Sequence, residues 1–247
     1  MFRGIKFSQK PKFLSDIIYP PKEKAKLNRA SEDAEQMFYA STSKKAVLYE
    51  LDVSPGDKMV ISMWRLNNML VFNNVGYTKA NLAALGATRE IPTDEDNDNP
   101  INNLIADYLA LAFCQNISEL EKYLYKLTIA IARIHLKEAG KYKFAGLYYP
   151  TIRLNGEEEN FAINKNIIDL GLLDFIGIQF IQIVEKLNNR YKYTILDTAE
   201  EITNYSINWN DSVNQWTVYE DSEELYFIED NGSVLAYNQD GDQIPPD

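Results

Sequence analysis

Histidine and cysteine are almost absent from this sequence, which has one of each, His135 and Cys114. A single cysteine cannot form an intrachain disulfide, and its place in an apolar run fits a reducing compartment. Zinc sites of the Cys/His type need several such ligands and are excluded. The one histidine is predicted at the end of a helix, where the helix dipole favours it, so we expect a mechanism without a catalytic histidine. Hydrolases of the Ser-His-Asp and Cys-His types are therefore disfavoured.

Several motifs and long apolar segments are also absent. The sequence contains no P-loop, no G-x-G-x-x-G and no H-E-x-x-H, which removes the signatures of common phosphate-binding loops, dinucleotide folds and zinc proteases. No window reaches about eighteen apolar residues, the length that a membrane span needs. The N-terminal segment MFRGIKFSQKPKFL lacks the uninterrupted apolar region of a signal peptide. We expect a cytoplasmic protein with no membrane partner and no metal.

Basic residues are outnumbered by acidic ones. The chain has 25 Lys and Arg residues against 36 Asp and Glu residues, a formal net charge of -11. Nucleic acid is not expected as a partner, since neutralising its phosphates needs a basic surface. The charge is uneven, because residues 1–30 are rich in Lys and Arg whereas residues 197–247 are rich in Asp and Glu. A basic docking surface at the start of the chain stays open, but solvated charge is favoured.

Apolar residues are plentiful and make up 45% of the chain, with 12% of all residues aromatic. This content can bury a sizeable core as one large domain or as one domain with an appendage. In the acidic region the segments WTVYED, LYFIED and SVLAYN suit a small β-meander. We therefore predict a main domain over residues 1–196 and an acidic, β-rich C-terminal extension over residues 197–247.

The segment RASEDAEQMFYASTSKKAVLYE combines charged residues with apolar ones. Its residues 37–41, MFYAS, suit a short strand, and Thr42 or Ser43 can cap the helix that follows. Glu50 lies three and four residues after apolar positions of that helix, so it shares a face with core residues. A carboxylate buried among apolar neighbours costs several kcal/mol if it lacks a partner. We expect that something binds this group.

Other segments follow clear periodic patterns. Strands are predicted at DKMVISMW and NMLVFNNVG, and after Gly140 at FAGLYYPTI, NFAIN, LLDFIGIQFIQIVEKL and YKYTIL. The acidic segment TDEDNDNP lacks the glycine and the bidentate glutamate of a calcium-binding EF-hand, so we predict a solvated loop. Two amphipathic helices are predicted from apolar residues at helical spacing, which are Ile101, Leu104, Ile105, Tyr108, Leu109 and Ala112 in the first and Leu120, Tyr123, Leu124, Leu127, Ile131 and Ile134 in the second.

Two of these stretches together resemble the RES domain family, named for an Arg, a Glu and a Ser that line its pocket. The family's first stretch has an Arg, a strand with a Tyr and a small residue, and a helix that ends in Glu. Its second stretch is a Tyr-Pro-Ser-x-Arg turn followed by Gly and Asn. Order and spacing agree over roughly residues 20–190, and Thr stands where the family has Ser. The matching residues are Arg29, Phe38-Tyr39-Ala40-Ser41 and Ala46-Val47-Leu48-Tyr49-Glu50, then Tyr149-Pro150-Thr151-Ile152-Arg153, Gly156 and Asn160.

The resemblance implies a fold similar to that of ADP-ribosyltransferases. This is an α+β fold with a split, twisted β-sheet, flanking helices and a cleft for NAD+, here expected over residues 1–196. It implies an enzyme that consumes NAD+ as substrate by cleaving the nicotinamide–ribose bond, through phosphorolysis, hydrolysis or ADP-ribosyl transfer. It also implies the toxin of a toxin–antitoxin system, with an Xre-like helix-turn-helix antitoxin as partner, and a homodimer.

The resemblance also implies roles for individual residues. Cleavage passes through an oxocarbenium-like state, whose positive charge Glu50 would stabilise. Arg29 would hold the pyrophosphate through forked hydrogen bonds, and Tyr39 would stack on the nicotinamide or bond the ribose. Nicotinamide is a good leaving group, so no general acid is required. The implied catalytic residues are Arg29, Tyr39, Glu50 and Thr151, and the implied NAD+-binding residues are Arg29, Tyr39, Ser41, Thr151, Arg153 and Asn160.

Two further hypotheses stay open. A catalytically inactive RES-like module would bind a nucleotide or a protein through the same cleft, and tight NAD+ binding without turnover would indicate it. An acidic immunity or antitoxin-like protein would act through its tail, so deleting residues 200–247 would remove its effect. For an enzyme, the group that accepts the ADP-ribose also stays open among phosphate, water and a protein side chain.

Overall fold

The structure is a computed structural model that describes most of the chain. Within the described residues the protein is a mixed α/β structure with a large, mostly antiparallel β-sheet and five α-helices. The mixed class predicted from the sequence is confirmed, and the finer ADP-ribosyltransferase-like arrangement stays a prediction. The described ranges are residues 1–67, 69–88, 99–136, 144–187, 190–211, 216–220, 225–228, 234–237 and 243–244.

The elements of the described residues follow one another in this order. The strands are β1 (Phe2–Lys6), β2 (Met37–Ser41), β3 (Lys58–Leu66), β4 (Phe72–Asn74), β5 (Gly146–Pro150), β6 (Glu159–Asn164), β7 (Leu173–Leu187), β8 (Arg190–Ala199), β9 (Ile202–Thr203), β10 (Ser206–Ile207), β11 (Trp216–Glu220), β12 (Leu225–Ile228), β13 (Val234–Tyr237) and β14 (Gln243–Ile244). The helices are α1 (Lys44–Glu50), α2 (Lys79–Leu85), α3 (Pro100–Cys114), α4 (Tyr125–Leu136) and α5 (Lys165–Asp169), with 3-10 helices at Leu14–Asp16, Lys22–Lys24 and Glu119–Leu124.

The chain divides into two compact units, each built from separate segments. The first unit comprises residues 1–17, 47–65 and 175–247, and the second comprises residues 18–46 and 66–174. Helix α1 begins in the second unit and ends in the first, because the division falls between residues 46 and 47.

The first unit is organised around an antiparallel sheet in the order β14-β13-β12-β11-β8-β7-β3-β1. Alternate residues of β8 are buried, as expected for a strand with one face on the core. Tyr191 and Tyr193 of β8 pack there with Ile181 and Ile183 of β7, and Leu48 of α1 joins the same core. β11, β12 and β13 pair consecutively in antiparallel register, which confirms the predicted β-meander. Strand β8 runs without a break across residues 196 and 197. The domain boundary predicted between these two residues stays a prediction.

The second unit holds the strand order β2-β6-β5-β4. β6 is antiparallel to both β2 and β5, whereas β4 runs parallel to β5 at the edge. Strand β4 covers only residues 72–74 of the predicted strand NMLVFNNVG, and Met69 is exposed outside it. The core of this unit lies between the strands and helices α3 and α4, and its buried residues are Ala30, Met37, Val75, Phe113, Cys114, Ile131, Ala132, Leu147, Tyr149 and Ala162.

Side-chain caps fix the starts of three helices. Ser43 Oγ accepts the Ala46 N–H at 3.1 Å, so Ser43, one of the two predicted residues, caps α1. Thr78 Oγ1 accepts the Asn81 N–H at 3.2 Å at the start of α2. Asn99 Oδ1 accepts the Ile101 N–H at 3.0 Å, and proline in the first turn of α3 needs no N–H there. None of the helices in the described ranges is long and apolar enough to cross a membrane.

Candidate functional site

Three neighbouring strands of the second unit bring the two RES-like stretches together. In the register of β2 and β6, Ser41 lies opposite Asn160, and in the register of β5 and β6, Tyr149 lies opposite the same Asn160. Ser41 Oγ donates a hydrogen bond to Asn160 Oδ1 at 2.5 Å, although the two residues are 119 positions apart in the sequence. Both side chains are buried. Ser41 and Asn160 are therefore the centre of the candidate site.

Thr151 lies just after β5 and anchors the turn that leads into β6. Its N–H donates to the Glu158 carbonyl at 2.8 Å, its carbonyl accepts from Gly156 N–H at 2.7 Å, and its hydroxyl accepts from Glu158 N–H at 3.3 Å. The turn passes through left-handed backbone at Asn155 and Gly156, with φ of 53° and 79°. Thr151 is fully buried, whereas Arg153 on the same turn is exposed.

A threonine and a glutamate that were not predicted as site residues border this turn. Thr42 Oγ1 donates to Glu158 Oε2 at 2.8 Å and accepts the Glu159 N–H at 3.1 Å. From sequence, Thr42 was interpreted only as a helix cap, and Glu158 was given no role. Only the pairing of β2 with β6 brings these side chains together.

Tyr39 lies on β2, two residues before Ser41, and its hydroxyl is held by the segment before that strand. Its Oη lies 2.9 Å from Ser31 Oγ and accepts the Ala30 N–H at 3.3 Å. Burial raises the pKa of Tyr39 to about 12, and its hydrogen bonds to Ser31 and Ala30 only partly oppose that shift. The hydroxyl is therefore protonated at neutral pH and serves as a hydrogen-bonding group rather than as a base.

Arg29 binds the end of helix α3. Its guanidinium donates hydrogen bonds to the carbonyls of Phe113 and Gln115, the second at 3.2 Å, and its charge lies 5.7 Å from the centre of the Phe113 ring. Cations are favoured at the carboxyl end of a helix, where carbonyls lack intrahelical partners. The sequence predicted Arg29 as a phosphate ligand and gave no sign of these carbonyls. This geometry gives Arg29 a structural task in the second unit.

Glu50 is the last residue of α1 and belongs to the first unit. The sequence predicted a carboxylate buried among apolar neighbours, but Glu50 is only half-buried, because the helix ends at this position and its side chain reaches water. The predicted site residues are thus divided: Glu50 lies in the first unit, and the other six, Arg29, Tyr39, Ser41, Thr151, Arg153 and Asn160, lie in the second.

Close packing surrounds Cys114 at the end of α3. Gly76 has a φ of 102°, and a Cβ added there would lie 2.6 Å from Cys114 Sγ and 2.9 Å from Pro150 Cδ, so only glycine fits. Burial raises the pKa of the Cys114 thiol to about 11. The nearby Arg29 charge and the hydrogen bond with Asn81 lower this pKa, but by less than burial raises it. The thiol is not an activated nucleophile at neutral pH, since the thiolate is the reactive form.

A small cavity of about 210 Å³ lies in the second unit between the end of β4 and the helices α3 and α4. His135 contributes to its wall near the end of α4, as predicted for a helix-end histidine, and its carbonyl accepts from Asn73 Nδ2 at 2.8 Å. The other lining residues are Asn74, Val75, Gly76, Tyr77, Thr78, Asn102, Ile105, Ala106, Leu109 and Ala110.

Comparison with protein-family models, with curated proteins and with solved structures found no match to this chain. Among the described residues, no group of three or more His, Cys, Asp or Glu side chains has the geometry to hold a metal ion.

Proposed function

We propose that this protein is a RES-type toxin that consumes NAD+ by cleaving the bond between nicotinamide and ribose. In this proposal it acts in the cytoplasm and is neutralised by an Xre-like helix-turn-helix antitoxin. The supporting observation is the hydrogen bond between Ser41 and Asn160, which joins the two RES-like stretches across 119 residues of sequence.

The polar side chains around Ser41 and Asn160 suit the binding of a dinucleotide. Hydroxyl and carboxamide side chains both donate and accept hydrogen bonds, as the ribose hydroxyls and the carboxamide of NAD+ require. In the proposed enzyme Ser41, Asn160 and the protonated Tyr39 hydroxyl bind these groups, and Thr151 holds the turn beside them. Glu50 stabilises the positive charge that develops on the ribose as the bond to nicotinamide breaks.

Arg29 has a double role in this proposal. A guanidinium carries five N–H donors in a rigid planar fork, so one Arg side chain can hold carbonyls and a phosphate oxygen together. The carbonyls of Phe113 and Gln115 orient the fork. A pyrophosphate oxygen would then bind to further donors of the same group, through charge-assisted hydrogen bonds.

The direct test is incubation of the purified full chain with NAD+, with and without inorganic phosphate, followed by chromatography of nicotinamide and ADP-ribose products. We expect nicotinamide release by the wild type. Arg29→Ala and Glu50→Ala should each lower the rate by on the order of 100-fold or more, since each removes a charge that stabilises the bound substrate or the transition state. Release that requires phosphate would identify phosphorolysis, and release without it would identify hydrolysis or transfer.

Matched controls separate catalysis from general damage. Arg133→Ala removes an exposed Arg of α4 that pairs with Glu32 and Glu35, and Glu185→Ala removes an exposed Glu of β7. Both variants should keep the wild-type rate. Full activity of Arg29→Ala or Glu50→Ala, in protein that is folded by circular dichroism, would contradict the assigned roles.

The second candidate function is a catalytically inactive RES-like binding module. Thr151, which replaces the family's Ser, is fully buried with its hydroxyl on the Glu158 N–H, and this arrangement favours a structural rather than a catalytic hydroxyl. Titration calorimetry with NAD+ distinguishes the candidates. Heat of binding without any nicotinamide release would establish the inactive module, whereas turnover would exclude it.

A further inference from the structure

The cavity beside α3 in the second unit is lined by residues other than those proposed to act on NAD+. Its volume is about 210 Å³, and it lies between the end of β4 and the helices α3 and α4. None of the residues given a role in NAD+ cleavage, from Arg29 to Asn160, belongs to the described part of its lining. The proposed reaction therefore makes no use of this cavity.

The floor of the cavity is held in place by its neighbours. It consists of residues 75–78, which are buried. The Tyr77 ring stacks on the Tyr148 ring of β5, with the ring centres 5.1 Å apart and the ring planes 11° from parallel. Asn81 Nδ2 donates a hydrogen bond to the Gly76 carbonyl at 2.7 Å. The floor is therefore preformed, as is usual for sites that bind small molecules.

Short side chains of α3 form the wall opposite this floor. Ala106 and Ala110 lie one helical turn apart and line the cavity together with Leu109. Protein interiors rarely contain spaces much larger than a water molecule, so a gap of this size is unusual. Asn102 and Ile105 also line the cavity and are exposed, Ile105 by 52%. The cavity is therefore open to solvent on the side of α3, and a small molecule can enter it there.

The volume and the lining define a class of ligand. An apolar cavity of about 150 Å³ can hold benzene, so this larger one has room for a single ring and a small substituent. The described lining contains no Asp, Glu, Lys or Arg side chain, so a charged ligand would lose its hydration without gaining a counter-charge. Carboxamide, hydroxyl and imidazole groups are present in the lining at Asn74, Thr78 and His135. Groups of these types form hydrogen bonds with an uncharged substituent.

We propose that this cavity is a binding site for an uncharged molecule of about the size of phenol, with one aromatic ring and one hydrogen-bonding substituent. Gly76 on the floor and Ala106 and Ala110 on the helix are small, so a flat ring can lie close to the backbone on both sides. The substituent binds to the polar groups of the lining. Such a compound is a second ligand of the protein, held by other residues than NAD+.

His135 gives a direct test, because it is the only histidine of the chain and lines the cavity. The purified full chain is titrated with phenol, and the imidazole C–H signals are followed by NMR at about pH 8, above the range in which histidine normally changes charge. We expect these signals to shift and to saturate, with a dissociation constant on the order of 1 mM or below for so small a ligand. Signals that stay in place, or that shift without saturation, overturn the proposal.

Ala106→Leu fills the cavity and should raise the dissociation constant of phenol by about tenfold or more, in protein that is folded by circular dichroism. Ala130→Leu is the matched control, because Ala130 is exposed on α4 and lies outside the described lining. This variant should bind phenol as the wild type does. Equal binding of phenol by the two variants would contradict the assignment of the ligand to this cavity.

A second measurement uses only the wild-type chain, so it does not depend on the folding of a variant. Benzoate has the ring of phenol but carries a negative charge, and it should bind about tenfold more weakly or worse because the described lining offers no cationic Lys or Arg. Benzoate that binds as tightly as phenol would overturn the proposed class of ligand. None of these readouts involves NAD+, so this proposal and the proposed enzymatic function stand or fall separately.

Discussion

The two units bury different kinds of polar side chain. Among the described residues, the buried polar side chains of the first unit are Arg3, Ser62 and Asp197, two of which are charged. Those of the second unit are all neutral hydroxyl or carboxamide groups, namely Ser31, Ser41, Thr78, Asn81, Thr128, Thr151 and Asn160. The two sets indicate different uses.

In the first unit each buried charge has a fixed partner. Arg3 Nε donates to the Ile17 carbonyl at 3.2 Å, and Asp197 accepts from Lys10 at 2.6 Å and from the Thr198 N–H at 2.8 Å. Such pairs tie segments together, and breaking one leaves an uncompensated charge. Neutral hydroxyls and carboxamides can exchange one hydrogen-bond partner for another, as the polar groups of ligand sites do. The comparison therefore supports ligand-binding groups among the buried polar side chains of the second unit and a scaffolding role for the buried charges of the first.

The largest stability effect is expected from Lys10→Met, which leaves the Asp197 carboxylate buried without its ion-pair partner. Asp197 is almost fully buried, but the Lys10 side chain is 34% exposed, so water screens part of the interaction. The expected loss is about 2–3 kcal/mol of unfolding free energy, between the values for surface and fully buried pairs. Urea denaturation measures it.

Lys6→Met is the control for this prediction, because Lys6 pairs with Asp57 at a similar 2.8 Å where both side chains are partly exposed. It should cost less than about 1 kcal/mol. If Lys10→Met and Lys6→Met lose equal unfolding free energy, the burial of Asp197 does not strengthen its ion pair with Lys10. The interpretation of the buried charges of the first unit as a scaffold would then fail.

At Thr151 we expect a smaller loss of stability than at Lys10, together with a loss of activity. Thr151→Val keeps the shape but removes the hydroxyl that accepts the Glu158 N–H, which costs about 1–2 kcal/mol. Thr151→Ser keeps the hydroxyl and loses one methyl, which costs about 1 kcal/mol. In the proposed enzyme the Ser variant should consume NAD+ at least as fast as the wild type, and the Val variant about tenfold more slowly or worse. A Val variant with full turnover would show that this hydroxyl has no part in the chemistry.

Local patterns predicted most elements of the fold. Strand β2, the cap and helix of α1, strands β5 to β8 and the tail meander are confirmed, because alternation and capping act over a few residues and are visible in the sequence. The division into two units was not predictable in this way. Each unit combines segments far apart in the chain, and local periodicity carries no information about which distant segments meet.

The helical spacing of α3 illustrates the same limit. It correctly predicted which apolar residues lie on one side of the helix, but Ile101, Leu104 and Tyr108 are exposed rather than in the core. Periodicity identifies a shared face and does not identify what covers it. Arg29 is the corresponding case in the site, since its partners are the carbonyls of Phe113 and Gln115, and carbonyls at a helix end leave no mark in the residue types.

The last prediction concerns a contribution of Tyr39 in the second unit that does not vary near neutral pH and changes only in alkaline solution. Burial raises its pKa from 10.0 to about 12 in the folded protein. Because the folded pKa lies above the unfolded one, the stability contributed by the protonated hydroxyl is fully present below pH 10 and is lost as the pH rises through 12. Tyr39→Phe removes this titration, so its unfolding free energy should fall less steeply than that of the wild type between pH 10 and pH 12.

Urea denaturation at a series of pH values measures the two slopes, and Tyr205→Phe, at a tyrosine that is 76% exposed in the first unit, is the control that should keep the wild-type slope. If Tyr39→Phe also follows the wild-type curve, the Tyr39 hydroxyl is solvated rather than buried. It would then not be a preorganised neutral donor, and the polar group around Ser41 would lose one of its proposed contacts to NAD+. A shallower slope for Tyr39→Phe alone would instead strengthen the contrast between the neutral polar side chains buried in the second unit and the charges buried in the first.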